Sequence, residues 1–252
     1  MRISGNTIFI PGATSGIGLA LALALRDKGN TVIVGGRRRN LLDQIAAEHG
    51  LATIAIDTAD PASIEAAARQ VLADHPELNV LITMAGIMRV EDWTRGGFAE
   101  QAAEIVTTNL LGPIRLIDAF LDHLRDRPEA TIVTVSSGLA FAPLKVTPTY
   151  NATKAAIHLL SESIRLQLAG TGVSVVELEP PAVQTDLLPG QRESAFAMPL
   201  EEFIAEVVEL IEHQPDATEI QVERVKFLRY GEARGDYDQV VATLNRSDPH
   251  GK

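Results

Sequence analysis

The sequence predicts an α/β protein in which helices cover both faces of a mainly parallel, doubly wound sheet. Short runs rich in β-branched residues alternate along the chain with longer alanine- and leucine-rich stretches of helical periodicity. The short runs are apolar almost throughout, as expected for strands that are buried on both faces of a sheet. Each strand is therefore expected to be followed by a helix that crosses back over the sheet.

Six short runs predict the strands in chain order: TIFI (7–10), TVIVGG (31–36), ATIAID (52–57), NVLITM (79–84), TIVTV (131–135) and VSVVELE (173–179). Helices are predicted over residues 16–28, 63–73, 98–125 and 150–168, the third interrupted only at Gly112-Pro113. After Glu201, apolar residues at helical spacing predict one more helix, which precedes the run EIQVE and a polar end. Residues 246–252 are expected to fray.

Composition limits the class of protein. A chain of 252 residues that is 46% hydrophobic can bury one sizeable core, so a single domain over residues 1–252 is expected. A net charge of -11 disfavours nucleic acid and anionic membrane surfaces as partners. The absence of cysteine excludes disulfides and thiolate chemistry, and the histidines lack metal-ligand spacing, so no metal is expected. No apolar run has the length of a signal peptide or membrane span, which predicts a cytoplasmic protein.

A glycine-rich segment, GATSGIG, lies between the first predicted strand and the first predicted helix. Glycines there allow a tight turn and close approach of the backbone to a phosphate, while the helix start presents amide groups and the positive end of its dipole. The alternative is an ordinary glycine-rich turn. The candidate cofactor-binding residues of this segment are Gly12, Thr14, Ser15, Gly16, Ile17 and Gly18.

The end of the second predicted strand indicates which dinucleotide would bind. An acidic residue there would accept hydrogen bonds from a ribose 2′-hydroxyl, but this chain has Gly35 and Gly36 followed by three arginines, at positions 37–39. A guanidinium suits a 2′-phosphate, so NADP (NADPH) is predicted rather than NAD, with Arg37 and Arg38 as its ligands. The alternative is a solvated basic start of a helix.

Ser137, Tyr150 and Lys154 are the candidate catalytic residues. Positions i and i+4 share one face of a helix, so the Lys154 ammonium is expected near the Tyr150 phenol and should lower its pKa. A phenol tuned in this way can act as a general acid or base, and Ser137 can donate a hydrogen bond to the same substrate oxygen. Taken alone, the pair also fits a surface tyrosine beside a solvated lysine.

With these motifs in this order, the chain is identified by resemblance as a member of the short-chain dehydrogenase/reductase family, in the subgroup made of one Rossmann domain. The resemblance extends from GATSGIG to the C-terminal strand, and the segments SGLAF, ATKAA and ARGDYD resemble a bacterial subgroup encoded beside genes for D-alanylation of lipoteichoic acid. It implies an NADP-dependent oxidoreductase acting on a carbonyl or alcohol. By resemblance Tyr150 is the acid/base, Ser137 orients the substrate oxygen, Lys154 also binds the nicotinamide ribose, and Asn109 extends the proton relay through a water.

The resemblance also implies further cofactor contacts. Asp57 would bind the adenine amino group, Val183 would lie against the nicotinamide carboxamide, and Thr185 would lie near the phosphates. Ala85 and Gly86 would allow close approach of the ligand.

Two departures from the family pattern affect this region. Pro11 stands where the family usually has threonine, and Thr83-Met84-Ala85-Gly86 replaces an NNAG motif. Methionine cannot replace an amide's hydrogen bonds, whereas Thr83 can recover one of them. We therefore expect these departures to alter cofactor binding rather than to abolish catalysis.

The substrate loop is expected at residues 182–199, the only long irregular stretch. Six apolar residues suggest an apolar site, with ordinary packing as the alternative: Phe141, Leu144, Leu187, Leu188, Phe196 and Met198. By resemblance, a homodimer or homotetramer is expected through the helices at 98–125 and 150–168. Two other functional classes stay open: a sensor or scaffold that binds NADP(H) with little or no activity, and a structural module that binds no nucleotide.

Overall fold

One parallel sheet organises residues 1–246, the part of the chain that the computed structural model describes. Its strands are β1 Thr7–Pro11, β2 Thr31–Gly36, β3 Ala52–Ala55, β4 Val80–Thr83, β5 Ala130–Val135, β6 Val173–Leu178 and β7 Glu219–Ile220. Their order is β3-β2-β1-β4-β5-β6-β7, and every neighbouring pair is parallel. The order runs outward from β1 in both directions, so the doubly wound Rossmann architecture is confirmed.

Helices connect and cover these strands. They are α1 Gly16–Asp27, α2 Arg39–His49, α3 Pro61–Asp74, α4 Ala99–Val106, α5 Gly112–Arg125, α6 Pro148–Gln167, α7 Leu200–His213, α8 Lys226–Arg229, α9 Gly231–Arg234 and α10 Tyr237–Arg246. The helices predicted at 16–28, 63–73 and 150–168 are present within two residues of the predicted bounds. Asp60 caps α3 by accepting a hydrogen bond from the Ala62 amide, and Pro61 occupies the first turn, where its missing N–H costs nothing.

The structure differs from the sequence prediction in several places, and it adds α2, which was not among the predicted helices. The helix predicted over 98–125 contains a π-helical turn, Thr107–Leu111, directly before Gly112, and it continues through Pro113 into α5. The polar C-terminal region forms the short helices α8, α9 and α10, and Arg246, the last described residue, is helical. The rest of the segment predicted to fray, residues 247–252, lies outside the described residues.

Two apolar layers enclose the sheet, because successive side chains of a strand point to opposite faces. Ile8 and Ile10 of β1 pack with α1 and α7 on one face. Phe9 between them packs on the other face, with its ring centroid 5.5 Å from that of Phe120 in α5. This two-sided burial explains the apolar strand sequences. Because the strands are parallel, the carboxyl ends of β1, β4, β5 and β6 lie along one edge of the sheet. None of the helices in residues 1–246 combines the length and apolarity needed to span a bilayer.

Candidate active site

The turn after β1 is shaped by glycines that no other residue could replace without strain. Gly12 has φ +89°, and a Cβ there would lie 2.5 Å from the Cα of Ala85, at the end of β4. A Cβ on Gly18 would lie 2.8 Å from the Cα of Ala13. Gly16 also has a positive φ, and Ser15, before α1, makes no side-chain capping bond. The start of α1 is therefore open to an anion, as the sequence predicts.

The arginines after β2 take different positions. Arg38 Nη2 donates hydrogen bonds to Thr14 Oγ1 at 2.7 Å and to Ser15 Oγ at 3.3 Å, which holds its guanidinium beside the glycine-rich turn. Arg37 points toward Asp57 instead, with 4.0 Å between Nη1 and Oδ2. Both arginines are exposed. Of the two predicted phosphate ligands, Arg38 is therefore the one that lines the cleft above the turn.

The catalytic candidates meet where β5 ends against α6. Lys154 Nζ lies 5.5 Å from the centroid of the Tyr150 ring and donates a hydrogen bond to the Val135 carbonyl at 2.8 Å. Ser137 Oγ accepts a hydrogen bond from the Leu139 amide at 3.1 Å. Ser137, Tyr150 and Lys154 are all buried, which rules out the alternative of a surface tyrosine beside a solvated lysine.

Burial controls the protonation of this group. Removal from water raises the pKa of Tyr150 to about 12, and a hydrogen bond with Ser137 acts in the opposite sense. Burial also lowers the pKa of Lys154 to about 8, against the nearby negative charge of Glu177. The net direction is opposite to the lowering expected from a neighbouring ammonium, because burial disfavours the phenolate. Near neutral pH Tyr150 is protonated.

Two contacts from the segment after β4 hold this site in place. Asn109, in the π-helical turn, accepts a hydrogen bond from the Ile87 amide at 2.8 Å and donates one to the Ile87 carbonyl at 2.9 Å. Glu91 accepts hydrogen bonds from the Thr149 amide and hydroxyl at 2.8 and 2.7 Å, so a buried carboxylate lies at the start of α6. A Cβ on Gly86 would lie 3.5 Å from Asn109 Oδ1 and 3.7 Å from Lys154 Nζ, which leaves an open space between these side chains.

The departures from the family pattern are accommodated within the sheet. Thr83 Oγ1 donates a hydrogen bond to the Val133 carbonyl of β5 at 3.3 Å, which recovers one strand contact as expected. Met84 lies against Gly18, where a Cβ would be 3.0 Å from its Cγ, so apolar packing replaces an amide beneath the turn. Pro11 is the last residue of β1 and stays in register with Gly35 of β2. Neither change displaces the catalytic candidates from one another.

The long loop after β6 is closed at its base. The Gln184 amide donates to the Met198 carbonyl at 2.9 Å, and the Met198 amide donates to the Ala182 carbonyl at 2.8 Å. Gln191 Nε2 donates to the Val183 carbonyl at 2.7 Å and lies 3.4 Å from Thr185 Oγ1. Thr185 faces the glycine-rich turn, since its Cγ2 is 3.4 Å from the Cβ position of Gly16. Hydrogen bonds within the loop thus fix both residues that the resemblance assigned to cofactor contact.

Two cavities meet at Ser137 and Tyr150. The first, called here the glycine-lined cleft, encloses about 1250 Å³ including open solvent and is lined by Gly12, Ser15, Gly16, Ile17, Gly18, Arg38, Met84, Gly86, Ile87, Arg89, Val135, Ser136, Ser137, Tyr150, Lys154, Pro180, Pro181, Val183, Thr185, Asp186, Leu187 and Gln191. The second, the apolar pocket, encloses about 1230 Å³ on the same measure, and Leu139, Leu144, Leu188, Phe196, Phe227 and Leu228 are among its lining residues.

Most of the predicted apolar residues line this second cavity. Leu144, Leu187, Leu188 and Phe196 do so, and Leu187 lines both cavities. Phe141 instead packs edge-on against His158, with ring centroids 4.7 Å apart, and Met198 belongs to the core beneath the loop. For these two residues the alternative of ordinary packing was the right one.

A buried acidic cluster lies behind Lys154 and was missed from the sequence. It consists of His158, Glu177, Glu179 and Glu219, whose potential ligand atoms lie within 4.8 Å of one another. His158 Nδ1 is 2.9 Å from a Glu177 oxygen, and the Arg229 guanidinium approaches Glu179 and Glu219 at 3.5 Å. That guanidinium supplies positive charge beside the carboxyl groups of Glu179 and Glu219. The run VVELE gave a usable signal, because its two glutamates share one face of a buried strand.

Comparison with known proteins places the chain in a family. The family model for short chain dehydrogenases matches residues 6–195, and the chain belongs to that family of oxidoreductases. The chain is 36% identical over 256 residues to the uncharacterized oxidoreductase DltE of Bacillus subtilis, covering 98% of this chain and 100% of that protein. It is 31% identical over 195 residues to the 2,3-dihydro-2,3-dihydroxybenzoate dehydrogenase of Escherichia coli, covering 74% and 73% of the two chains. The resemblance seen in the sequence motifs is thereby confirmed.

Solved structures share the fold. A short chain dehydrogenase from Burkholderia cenocepacia J2315 in complex with NADP superimposes with a TM-score of 0.81 at 23% identity, covering 97% of this chain and 99% of that chain. A 3-ketoacyl-(acyl-carrier-protein) reductase from Brucella melitensis complexed with NADH gives 0.78 at 22% identity, covering 89% and 100%. One neighbour thus holds NADP and the other NADH. At this identity the likeness establishes the fold alone.

Proposed function

We propose that this protein is an NADP-dependent oxidoreductase that transfers hydride between the nicotinamide and a carbonyl or alcohol substrate, with Tyr150 as general acid/base. The observation that carries the proposal is the position of Ser137 and Tyr150, which line both the glycine-lined cleft and the apolar pocket. A cofactor in the cleft and a substrate in the pocket would meet at these two hydroxyl groups.

The glycine-lined cleft fits a nicotinamide dinucleotide. The turn residues, Gly12, Thr14, Ser15, Gly16, Ile17 and Gly18, would hold the pyrophosphate through backbone amides. A Cβ at Gly12 or Gly18 would collide with the backbone at Ala85 or Ala13, so this turn requires glycine at both positions. Thr185 would add a hydroxyl at the phosphates, Val183 would meet the nicotinamide, and Asp57 the adenine. The small residues Ala85 and Gly86 would allow close approach of the cofactor. When bound, the cofactor supplies the hydride that none of the protein's own side chains can supply.

The preference for NADP rests on charge at the end of β2. Arg38 is held beside Thr14 and Ser15, and Gly36 leaves no carboxylate to pair with a ribose 2′-hydroxyl. Arg37 would contribute after leaving Asp57, from which it is separated by 4.0 Å. A planar guanidinium forms bidentate hydrogen bonds with phosphate, which favours the 2′-phosphate of NADP over the 2′-hydroxyl of NAD.

The protein's own residues would supply the proton that the substrate oxygen receives. In the reducing direction, Tyr150 donates its phenolic proton to the substrate oxygen while Ser137 hydrogen-bonds that oxygen. Lys154, with its pKa lowered to about 8, would return a proton to the phenolate, with Asn109 and a water extending the relay. Because the pKa of Tyr150 is raised to about 12, the phenol carries its proton near neutrality, which suits its proposed role as the acid in carbonyl reduction.

Replacement of Tyr150 by phenylalanine tests this proposal. Tyr150→Phe removes only the phenolic oxygen, so NADPH oxidation with a panel of aldehydes and ketones should be abolished, while the increase in Tm on adding NADPH should remain. Phe141→Tyr is a matched control for aromatic exchange, because Phe141 lines neither cavity. Turnover retained by Tyr150→Phe would contradict the proposed role.

The departure at Thr83 and Met84 supports a second candidate, an NADP(H)-binding sensor or scaffold with little or no activity. Such a protein would show the increase in Tm with NADPH but no NADPH oxidation with any carbonyl compound. A structural module without nucleotide would show neither response. Because Ser137, Tyr150 and Lys154 remain together and buried, the enzyme is the proposal we favour.

The remaining expectations belong to the same proposal. Residues 1–252 would form one catalytic domain in the cytoplasm, with the loop over residues 182–199 contacting the substrate. Exposed leucine and isoleucine side chains on the π-helical turn, α5 and α6 would pair two copies as a homodimer or within a homotetramer: Leu111, Ile114, Leu159 and Leu166. Light scattering on purified protein measures this state directly.

A further inference from the structure

The apolar pocket has a buried end and an exposed end. Tyr150 and Ser137 at one end are 5% and 6% exposed. At the other end, Phe196 and Phe227 are 67% and 45% exposed. The pocket therefore runs from the acid/base pair to the protein surface, and its walls between these ends are mainly apolar. A substrate that fills it must be elongated, with its reacting carbon at the buried end.

Among the lining residues within 1–246, Arg224 is the only formally charged one. The protein as a whole has 33 acidic and 22 basic side chains, so a lone cation here runs against the general charge. Arg224 is exposed, and it donates one long hydrogen bond, of 3.4 Å, to the Phe196 carbonyl. Within residues 1–246 it forms no ion pair.

Charged neighbours of Arg224 are already matched with partners. Lys226 pairs with Glu223 at 2.7 Å, and Arg234 pairs with Asp236 at 3.1 Å. The guanidinium of Arg224 thus keeps most of its donors available at the mouth of the pocket, beside two exposed phenylalanine rings. An arginine fork matches a carboxylate in geometry, and its single charge balances a monoanion.

We propose that the substrate is an elongated apolar carbonyl compound, or the corresponding alcohol, that carries a carboxylate at the end remote from the reacting carbon. The carboxylate pairs with Arg224, the chain lies between Phe196 and Phe227, and the carbonyl reaches Ser137 and Tyr150. This proposal rests on the proposed function. In the reducing direction, hydride adds to the carbonyl carbon and the Tyr150 proton to its oxygen, so C=O becomes CH–OH, NADPH becomes NADP⁺ and the carboxylate is unchanged.

The kinetic test uses medium-chain ω-oxo carboxylic acids, each compared with its methyl ester at saturating NADPH. We expect the acid to have a kcat/KM about tenfold higher than the ester, mostly through KM, as suits one charge-assisted contact made equally in the ground and transition states. Arg224→Gln should remove this preference, so that acid and ester have the same kcat/KM, and Arg224→Lys should restore part of it. Arg69→Gln, an exposed arginine of α3 outside both cavities, should behave as the wild type.

A binding test separates failure of this inference from failure of the proposed function. Tyr150→Phe saturated with NADPH is titrated with dodecanoate, dodecanol and dodecyl phosphate, none of which has a reducible carbonyl group. The inference expects dodecanoate to raise Tm most, and only while Arg224 is present. If carbonyl compounds are never reduced but this Arg224-dependent binding persists, the proposed function fails and the carboxylate site stands. Equal responses to dodecanoate and dodecanol, or a larger one to dodecyl phosphate, would overturn the assignment of a carboxylate.

Discussion

Glu179 should make the stability of this protein depend on pH. Its side chain directly follows β6 and is fully buried in the acidic cluster. Burial raises the pKa of Glu179 from 4.5 to about 8, and the negative charges of Glu177 and Glu219 raise it as well. The hydrogen bond from Gln221 and the positive charge of Arg229 lower this pKa but do not cancel the rise. Near neutral pH the native protein therefore holds Glu179 as a neutral acid, whereas the unfolded chain ionises it.

The sign and size of the effect follow from linkage. Because the native state binds this proton more tightly than the unfolded state, the stabilising contribution is complete below pH 4.5 and is lost as the pH rises to about 8. The shift corresponds to an upper limit of about 5 kcal/mol in the free energy of unfolding. Between about pH 6 and about pH 8, a range that avoids acid unfolding, the free energy of unfolding should fall by roughly 2 kcal/mol.

Urea unfolding of the wild type and Glu179→Gln at both ends of that pH range measures this loss. Glutamine keeps the shape of the protonated carboxyl and cannot ionise, so the variant should lose roughly 2 kcal/mol less than the wild type. The contributions of other titrating groups are common to both proteins and cancel in the difference. Glu65→Gln, at an exposed position of α3, should match the wild type. If Glu179→Gln and the wild type lost stability in parallel, the assignment of a raised pKa would be wrong.

Two further predictions concern the cofactor turn. Gly12→Ala should abolish the increase in Tm caused by NADPH, because its Cβ would lie 2.5 Å from the Cα of Ala85. Gly29→Ala is the control, since Gly29 has φ +87° and nothing within 4 Å of its Cβ position. It should lower the free energy of unfolding by only about 1–2 kcal/mol, the strain of a left-handed alanine, and keep the NADPH response. A normal NADPH response in Gly12→Ala would exclude the turn as the cofactor site. Arg38→Gln should weaken NADPH binding by about tenfold and leave NADH binding unchanged, measured by calorimetry with Arg39→Gln as control. Equal losses for both coenzymes would contradict a contact with the 2′-phosphate.

The sequence alone determined the fold class and the principal chemical groups of the candidate site, since both depend on local patterns. Apolar strands alternating with helical periodicity imply a doubly wound sheet whatever their detailed packing. GATSGIG between a strand and a helix, and Tyr150 four residues before Lys154, specify geometry within a single turn or helix. The family resemblance added Asn109, which no local pattern would have singled out.

Only the tertiary structure decided how these groups are tuned and what surrounds them, because each such effect joins residues far apart in the chain. Desolvation of Tyr150, and hence the rise in its pKa, depends on the elements packed over α6. Three further contacts join separate elements: His158 with Glu177, Arg38 with Thr14, and Arg224 with the Phe196 carbonyl. The sequence contains these side chains but not the distances between them, and charge, burial and hydrogen bonding depend on distance.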